Sequence, residues 1–246
     1  MELHVIAIVA IVGVIAGLIN GVVGGASLFT YPVLVATGLP PVAAVMTNTL
    51  GMGGGNLFAV LPHLRRRRDL LRAWSVAAVV TGFGGLVGAV LLLLSPERFF
   101  QILVPVLVLF ATLTMLVPRP EVRPHAEGNR HTRWRLLLSG VYCGYFGSGM
   151  GVISIAVLAR DGRLDMREVA IVKNLVIAAA NTVASAFFLL SSAVHWEEAL
   201  VLFAASGLGG FLSGRVIDRS RPEILRWLVV AIGLASTVYL ALRLVH

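Results

Sequence analysis

Charge is what this chain has least of. Only 13% of its 246 residues are Asp, Glu, Lys or Arg, about half the share usual in a soluble domain. Hydrophobic residues make up 58%, and mean hydropathy is +0.91. That balance excludes an ordinary water-soluble fold and predicts a polytopic membrane protein. Cysteine is nearly absent as well. Cys143 stands alone, which leaves no intrachain disulfide and no cysteine metal cluster. Carboxylates are missing from the middle of the apolar runs, since all 12 Asp and Glu fall in loops or near segment ends. A carrier of Na⁺ or of protons is expected to hold one at membrane depth. There is no H-E-x-x-H, no nucleophile elbow and no Walker loop, so neither an intramembrane protease nor an ATP-driven pump is indicated. No cofactor, no metal and no enzymatic activity are expected.

What is present is a set of apolar segments, roughly 4–20, 24–37, 40–62, 70–94, 98–117, 135–147, 149–159, 166–192, 197–217 and 223–244. A full crossing takes about 20 residues. The first two segments are short and split by glycines, as are 135–147 and 149–159. The start of the chain, MELHVIAIVA, lacks the basic region of a cleavable signal and reads as the first membrane segment. The net charge of +8 points away from nucleic acid, because the arginines gather in the breaks between apolar runs. With every segment crossing and the N-terminus outside, the inside loops hold Arg65–Arg68, the central linker, Arg160, Arg163, Arg219 and Arg221. Gly21–Val23 is then an inside loop and Ser148 an outside one. The excess of basic residues on one side selects this orientation.

The chain also repeats itself. TGFGGLVGAV at Thr81–Val90 resembles SGLGGFLSGRV at Ser206–Val216, and Asn48 precedes Asn174 by about 126 positions. Five segments per half is an odd number, so the second half is expected to be inverted. The predicted fold is all-α, with two inverted repeats of about five hydrophobic segments, each opened by glycine-broken short helices. Residues 1–117 form the first repeat, 118–134 a cytoplasmic linker and 135–246 the second repeat.

Inverted repeats with broken helices place substrate near the bilayer midplane, at the breaks. Backbone freed there must face protein, water or a ligand, and helix amino ends bind anions through their N–H groups. The candidate substrate-binding residues are accordingly Gly24 and Gly25 at the first break, and Gly147, Ser148, Gly149 and Gly151 at the second. Thr47, Asn48 and Asn56 lie in segment three; Lys173, Asn174 and Asn181 lie at the matching place in segment eight. Lys173 is the single lysine of the chain. An ionisable side chain inside a membrane-length run suggests an anionic partner; the competing reading is a side chain that snorkels to the surface. The glycines at 82, 84, 85, 88, 207, 209, 210 and 214 read as helix-packing positions.

At these residues the sequence resembles the sulfite exporter TauE/SafE family. The resemblance runs through GVVGGASLFTYP, Gly38-Leu39-Pro40-Pro41, Ala43-Ala44 leading into Thr47-Asn48, His63-Leu64-Arg65-Arg66, GYFGSGMG and Val194-His195-Trp196. It covers nearly the whole chain. It implies movement of sulfite, sulfonates or related organosulfur anions across a bacterial inner membrane. Composition and spacing alone give "small anion".

The reading is a secondary transporter for a small sulfur oxyanion, working by alternating access. The rivals are an anion channel and a non-transport intramembrane enzyme or assembly factor. The expected partners are the anion and the lipid bilayer, with no nucleic acid. Oligomeric state is open, with a homodimer among the options.

Overall fold

The computed structural model describes residues 3–22, 24–116, 131–216 and 222–245. The rest of the expected linker, 118–130, and Arg219 and Arg221 lie outside the described residues. Among those described, every regular element is a helix. In chain order they are α1 (Leu3–Val22), α2 (Ser27–Ala36), α3 (Pro41–Val60), α4 (His63–Arg66), α5 (Arg68–Ala73) and α6 (Ser75–Leu94). Then come α7 (Glu97–Leu116), α8 (Thr132–Phe146), α9 (Met150–Ala159), α10 (Met166–Phe188), α11 (Trp196–Val216) and α12 (Pro222–Val245). Five of them are long and apolar enough to cross a membrane: Leu3–Gly21, Ser75–Leu94, Glu97–Leu116, Met166–Phe188 and Arg226–Arg243. α3 and α11 match them in length, at 20 and 21 residues, or about 30 Å. α3 carries glycine, threonine and asparagine in place of leucine, and most of its residues are buried. The molecule is a multi-pass membrane protein.

Small residues fix how these helices pair. Gly17 lies against the backbone of Ser206 and Gly210, and Gly209 against that of Val14 and Leu18. Across the molecule, Gly144 meets Gly85 and Ala89, while Gly84 meets Leu137 and Val141. A Cβ at any of these positions would run into backbone, the signature of helices packed at close range through small-residue faces. α1 therefore packs on α11 as α8 packs on α6, and α3 packs on α11 as α10 packs on α6. Gly82, Gly84, Gly85, Gly88, Gly207, Gly209 and Gly210 thus perform the packing role predicted for them; the surroundings of Gly214 lie outside the described residues. Gly51, Gly54 and Gly55 in α3 join that group, facing Leu202, Phe203 and Ser206.

Helices α3 and α10, the two that carry Asn48 and Asn174, run antiparallel. Glu168 at the start of α10 pairs with Arg67 just beyond α3, at 3.8 Å. His195, beyond the end of α10, donates its N–H to Thr47 Oγ1 near the start of α3, at 3.2 Å. Asp165 and Glu168 close a capping box at the α10 start, which fixes where that helix begins. α7 and α12 are also antiparallel, with Arg226 near the start of α12 donating to the Met115 carbonyl near the end of α7.

α1 with α2 and α8 with α9 form two hairpins entering from opposite ends of α3. α1, expected to be a short segment, has 20 residues and is long enough to cross, because its helix runs on past Gly13 and Gly17, which pack against α11 instead of breaking it. Thr132, the first residue of α8, donates to Asp161 just past α9. Arg163 binds the same carboxylate and lies 4.9 Å from the ring centre of Trp74, beyond the α3 carboxyl end. α8 and α9 therefore open at that end. α2 finishes at the other end, where Val35 accepts from Arg243 and Pro41 begins α3. α1 starts there too, since it runs parallel to α11, with Gly13 against Leu202 and Gly21 against Ser213. Ser148, expected in an outside loop, is fully buried. A loop one residue wide carries backbone polar groups that need partners, and the protein interior supplies them.

Candidate functional site

The hairpin tips meet inside the bundle. Gly24 holds φ +83 and Gly151 lies directly against it, so that a Cβ on Gly24 would sit 2.9 Å from Gly151 backbone atoms. Only glycine meets both demands, a left-handed backbone and a neighbour with no side chain. Gly25 (φ +80) is covered by Met115, and Gly149 (φ +82) faces Ala111 of α7. Ser148 Oγ donates to the Ser27 carbonyl at 3.1 Å, tying the second tip to the first residue of α2. Thr49 Oγ1 stands beside Gly147.

Two helix amino ends therefore converge. α2 and α9 are ten residues each, and neither is capped at its start by a side chain. Their leading N–H groups carry partial positive charge. α2 closes its first turn through Leu28 N to Gly25 O and through Phe29 N and Thr30 N to Ala26 O; α9 does so through Val152 N to Gly149 O.

Several buried polar atoms of the described residues have no protein partner, and two of them, on Asn48 and Thr49, lie at these ends. Among the described residues Asn48 Nδ2, Thr49 Oγ1, Asn174 Oδ1 and Ser154 Oγ have no hydrogen-bond partner. Buried polar atoms are nearly always paired, so each such atom calls for an explanation, of which water or a ligand is the commonest. Asn48 is anchored on its other side, where its Oδ1 accepts from Thr30 Oγ1 at 2.5 Å. Its amide donor is thereby left to face elsewhere. The tips, Asn48 and Thr49 form one connected group through Thr30, Ser27 and Ser148.

The remaining predicted residues fall outside that group. Lys173 is completely buried and does not reach the surface. Its Nζ donates to the Asn20 carbonyl at 2.6 Å, with the Gly21 carbonyl at 3.5 Å. Both carbonyls belong to the last turn of α1, where helical partners run out. A cation there also meets the negative end of the helix dipole. The Asn20 side chain donates to Asn56 Oδ1 at 2.9 Å, and Asn56 Nδ2 donates to the Met52 carbonyl at 3.2 Å. Lys173 and Asn56 together hold the end of α1. Asn181 accepts from the Cys143 thiol at 3.1 Å, and Thr47 accepts from His195 N–H. Asn174 follows Lys173 on α10 and contributes its unpaired Oδ1.

Sequence reasoning passed over Thr30 and Ser154. Their signal was a hydroxyl inside each short apolar segment, and Ser27 and Thr30 are one turn apart on a shared face. Among the described residues no cluster of His, Cys, Asp and Glu could hold a metal ion.

The chain matches the family model for the sulfite exporter TauE/SafE over residues 9–240. It is 29% identical over 240 residues to a "probable membrane transporter protein" of Haemophilus influenzae, covering 96% of this chain and 94% of the relative. A "probable membrane transporter protein ORF9" of a Sinorhizobium species is 28% identical, with 98% and 94% covered. "Probable membrane transporter protein YfcA" of Escherichia coli K12 is 25% identical, with 90% and 84% covered. Paired broken helices buried between long apolar ones, and a family match along nearly the full length, lead to one conclusion: this chain belongs to the sulfite exporter TauE/SafE family of membrane transporters.

Proposed function

We propose that this protein is a secondary transporter that moves a small sulfur oxyanion, sulfite or a sulfonate, by alternating access. The carrying observation is the junction of the hairpin tips. Two uncapped helix amino ends converge there beside the unpaired amide of Asn48. Such ends recognise an anion through N–H groups and dipole without a metal. Asn174 Oδ1 stands on α10 outside the linked group at the tips; in this reading it joins the site as an acceptor, suited to a protonated oxyanion such as bisulfite. Lys173 acts by holding the α1 carboxyl end, and its charge reinforces the anion-favouring field at close range.

The two halves work as inverted repeats in this reading. Antiparallel α3 and α10, and hairpins entering from opposite ends, support it. One hairpin tip would be reached from each side of the bilayer in turn. The arginine-rich end near Arg65–Arg68 faces the cytoplasm of a bacterial inner membrane.

The test is radiolabelled sulfite counterflow in proteoliposomes. Saturable exchange, accelerated by unlabelled sulfite on the far side, is expected. Flux that neither saturates nor accelerates would make the protein a channel and overturn the carrier reading. Asn48→Leu is expected to remove exchange while the protein still inserts and folds; unchanged exchange would take the Asn48 amide out of the site.

A further inference from the structure

Away from the hairpin tips, a cleft of about 180 Å³ lies between α2, α7 and α12. It sits at the end of the bundle where α3 begins, opposite Arg65–Arg68. Tyr31, Gln101 and Arg243 provide its polar lining. Tyr31 is fully buried, and its hydroxyl has no partner among the described residues. Arg243 donates Nη1 to the Val35 carbonyl at 3.0 Å. Among the described residues no carboxylate is within ion-pair reach of it. A guanidinium has five donors in a fixed fork; Arg243 is exposed and spends one donor on Val35, so the others face water or a ligand entering the open cleft. Pro41 also borders the cleft, which brings the amino end of a 20-residue helix alongside. The cation, hydroxyl donor, amide and α3 amino end favour negative charge, and the lining holds no acidic side chain. The carboxyl ends of α2 and α12 lie here too and oppose it, the α2 end being offset by the Arg243 donation to Val35.

The position matters as much as the chemistry. The Tyr31 ring packs edge-on against Phe146 at 5.5 Å, and Phe146 is the last residue of α8 before Gly147. Tyr31 therefore stands between the cleft and the tip of the second hairpin. Its hydroxyl belongs to the cleft and its ring to the packing around the tip.

We propose that this cleft is a second oxyanion-binding station, in which Arg243, the Tyr31 hydroxyl and the Gln101 amide hold a small anion before or after it passes Tyr31. Its place on a transport route rests on the carrier reading; its ability to bind an anion does not. A phospholipid phosphate offers the same chemistry as a free oxyanion, and the experiment separates the two.

The whole chain is reconstituted in phosphatidylcholine and treated with phenylglyoxal, an arginine reagent. Modification of Arg243 is followed by mass spectrometry of its peptide. The probe is methanesulfonate, which does not add to the reagent's aldehyde as sulfite would. Saturable protection of Arg243 is expected, with the apparent affinity weakened about tenfold in Tyr31→Phe, the loss of one hydrogen bond to a charged group. No protection in the wild-type protein would overturn the proposal. So would protection by added phosphatidylglycerol alone, which would make the cleft a lipid headgroup site. Protection without sulfite counterflow would uphold the station and sink the carrier reading. Counterflow without protection would do the reverse.

Discussion

The two hairpins are built to the same plan and finished differently. The second ends its long arm economically. α8 stops at Phe146, and Gly147 turns out of the helix at φ +77, the usual left-handed glycine termination. The first hairpin runs its long arm further, through Asn20 and Gly21, before Gly24 and Gly25 turn the chain. That extra length brings bare carbonyls into the interior, and Lys173 meets them. The repeat puts Thr47 where the second half has Lys173, since Asn48 corresponds to Asn174. Thr47 is too short to reach a helix end and instead accepts the His195 N–H. One register position thus carries a lysine where a buried helix end needs a cation, and a threonine where glycine already completes the turn. A lone lysine in an apolar run is explained by this asymmetry before any ligand is invoked.

The comparison breaks most severely at Lys173. Lys173→Met leaves the Asn20 and Gly21 carbonyls buried without a donor, and loss of a hydrogen bond from a charged group costs about 1.5–3 kcal/mol. A large fall in the thermal midpoint in detergent is expected, with Lys173→Arg recovering part of it because a planar fork replaces a compact ammonium poorly. Wild-type stability together with lost sulfite affinity would instead make the lysine a substrate ligand. Methionine there with Thr47→Lys added should not rescue, because the far helix end is already closed by Gly147.

The tips give the next largest effect. Gly24→Ala adds a Cβ 2.9 Å from Gly151 backbone to a residue at φ +83. Gly38 also has positive φ, at +101, yet nothing lies within 4 Å of its Cβ position. Gly38→Ala therefore meets only the conformational cost of roughly 1–2 kcal/mol, and Gly24→Ala should exceed it clearly. Chemical denaturation of the two variants side by side measures the difference, and equal losses would mean the tips are not packed against each other. For the same reason Gly24→Leu would abolish transport by separating the hairpins, which is why alanine and a stability readout are preferable.

Asn48 and Asn174 sharpen the comparison differently. Their unpaired atoms are a cost of burial, so Asn174→Leu should leave the thermal midpoint unchanged or higher while counterflow falls more than tenfold, the usual stability–function trade-off. Asn48→Leu also removes the acceptor of Thr30, so its midpoint should fall by no more than the loss of one hydrogen bond while counterflow falls as far. A larger loss of stability in parallel with transport would make them structural.

The smallest effect concerns His63, outside the membrane-spanning helices. Partial burial, reinforced by Arg67 and Arg66, holds its pKa below the ordinary histidine value. The folded state therefore binds fewer protons than the unfolded one as pH falls below about 6.5, and stability is lost over that window. His63→Gln should flatten this pH dependence slightly; an unchanged profile would place its origin elsewhere.

Much of this was legible in the residues themselves. Composition fixed the membrane class, because a chain this apolar cannot satisfy water. Segment lengths located the long helices within a few residues, and glycine pairs in short segments located both breaks. The repeat offset singled out Asn48 and Asn174 as counterparts, and both are buried. These are properties of short windows, where hydropathy, helix length and glycine conformation act locally.

Tertiary structure decided the rest. Whether a ten-residue apolar helix crosses or dips depends on what covers it, and Ser148 is buried only because Ser27, far away in sequence, accepts its hydroxyl proton. The Asn20 carbonyl that Lys173 meets is 153 residues distant; the run around the lysine shows a lone cation and nothing of the helix end that needs one. The cleft at Tyr31 and Arg243 is assembled from three helices, and neither residue stands out in its own segment. A hydrogen bond or a wall between remote segments exists only once the helices have packed, because close approach, and not sequence neighbourhood, sets which polar atoms are paired and which are left for a ligand.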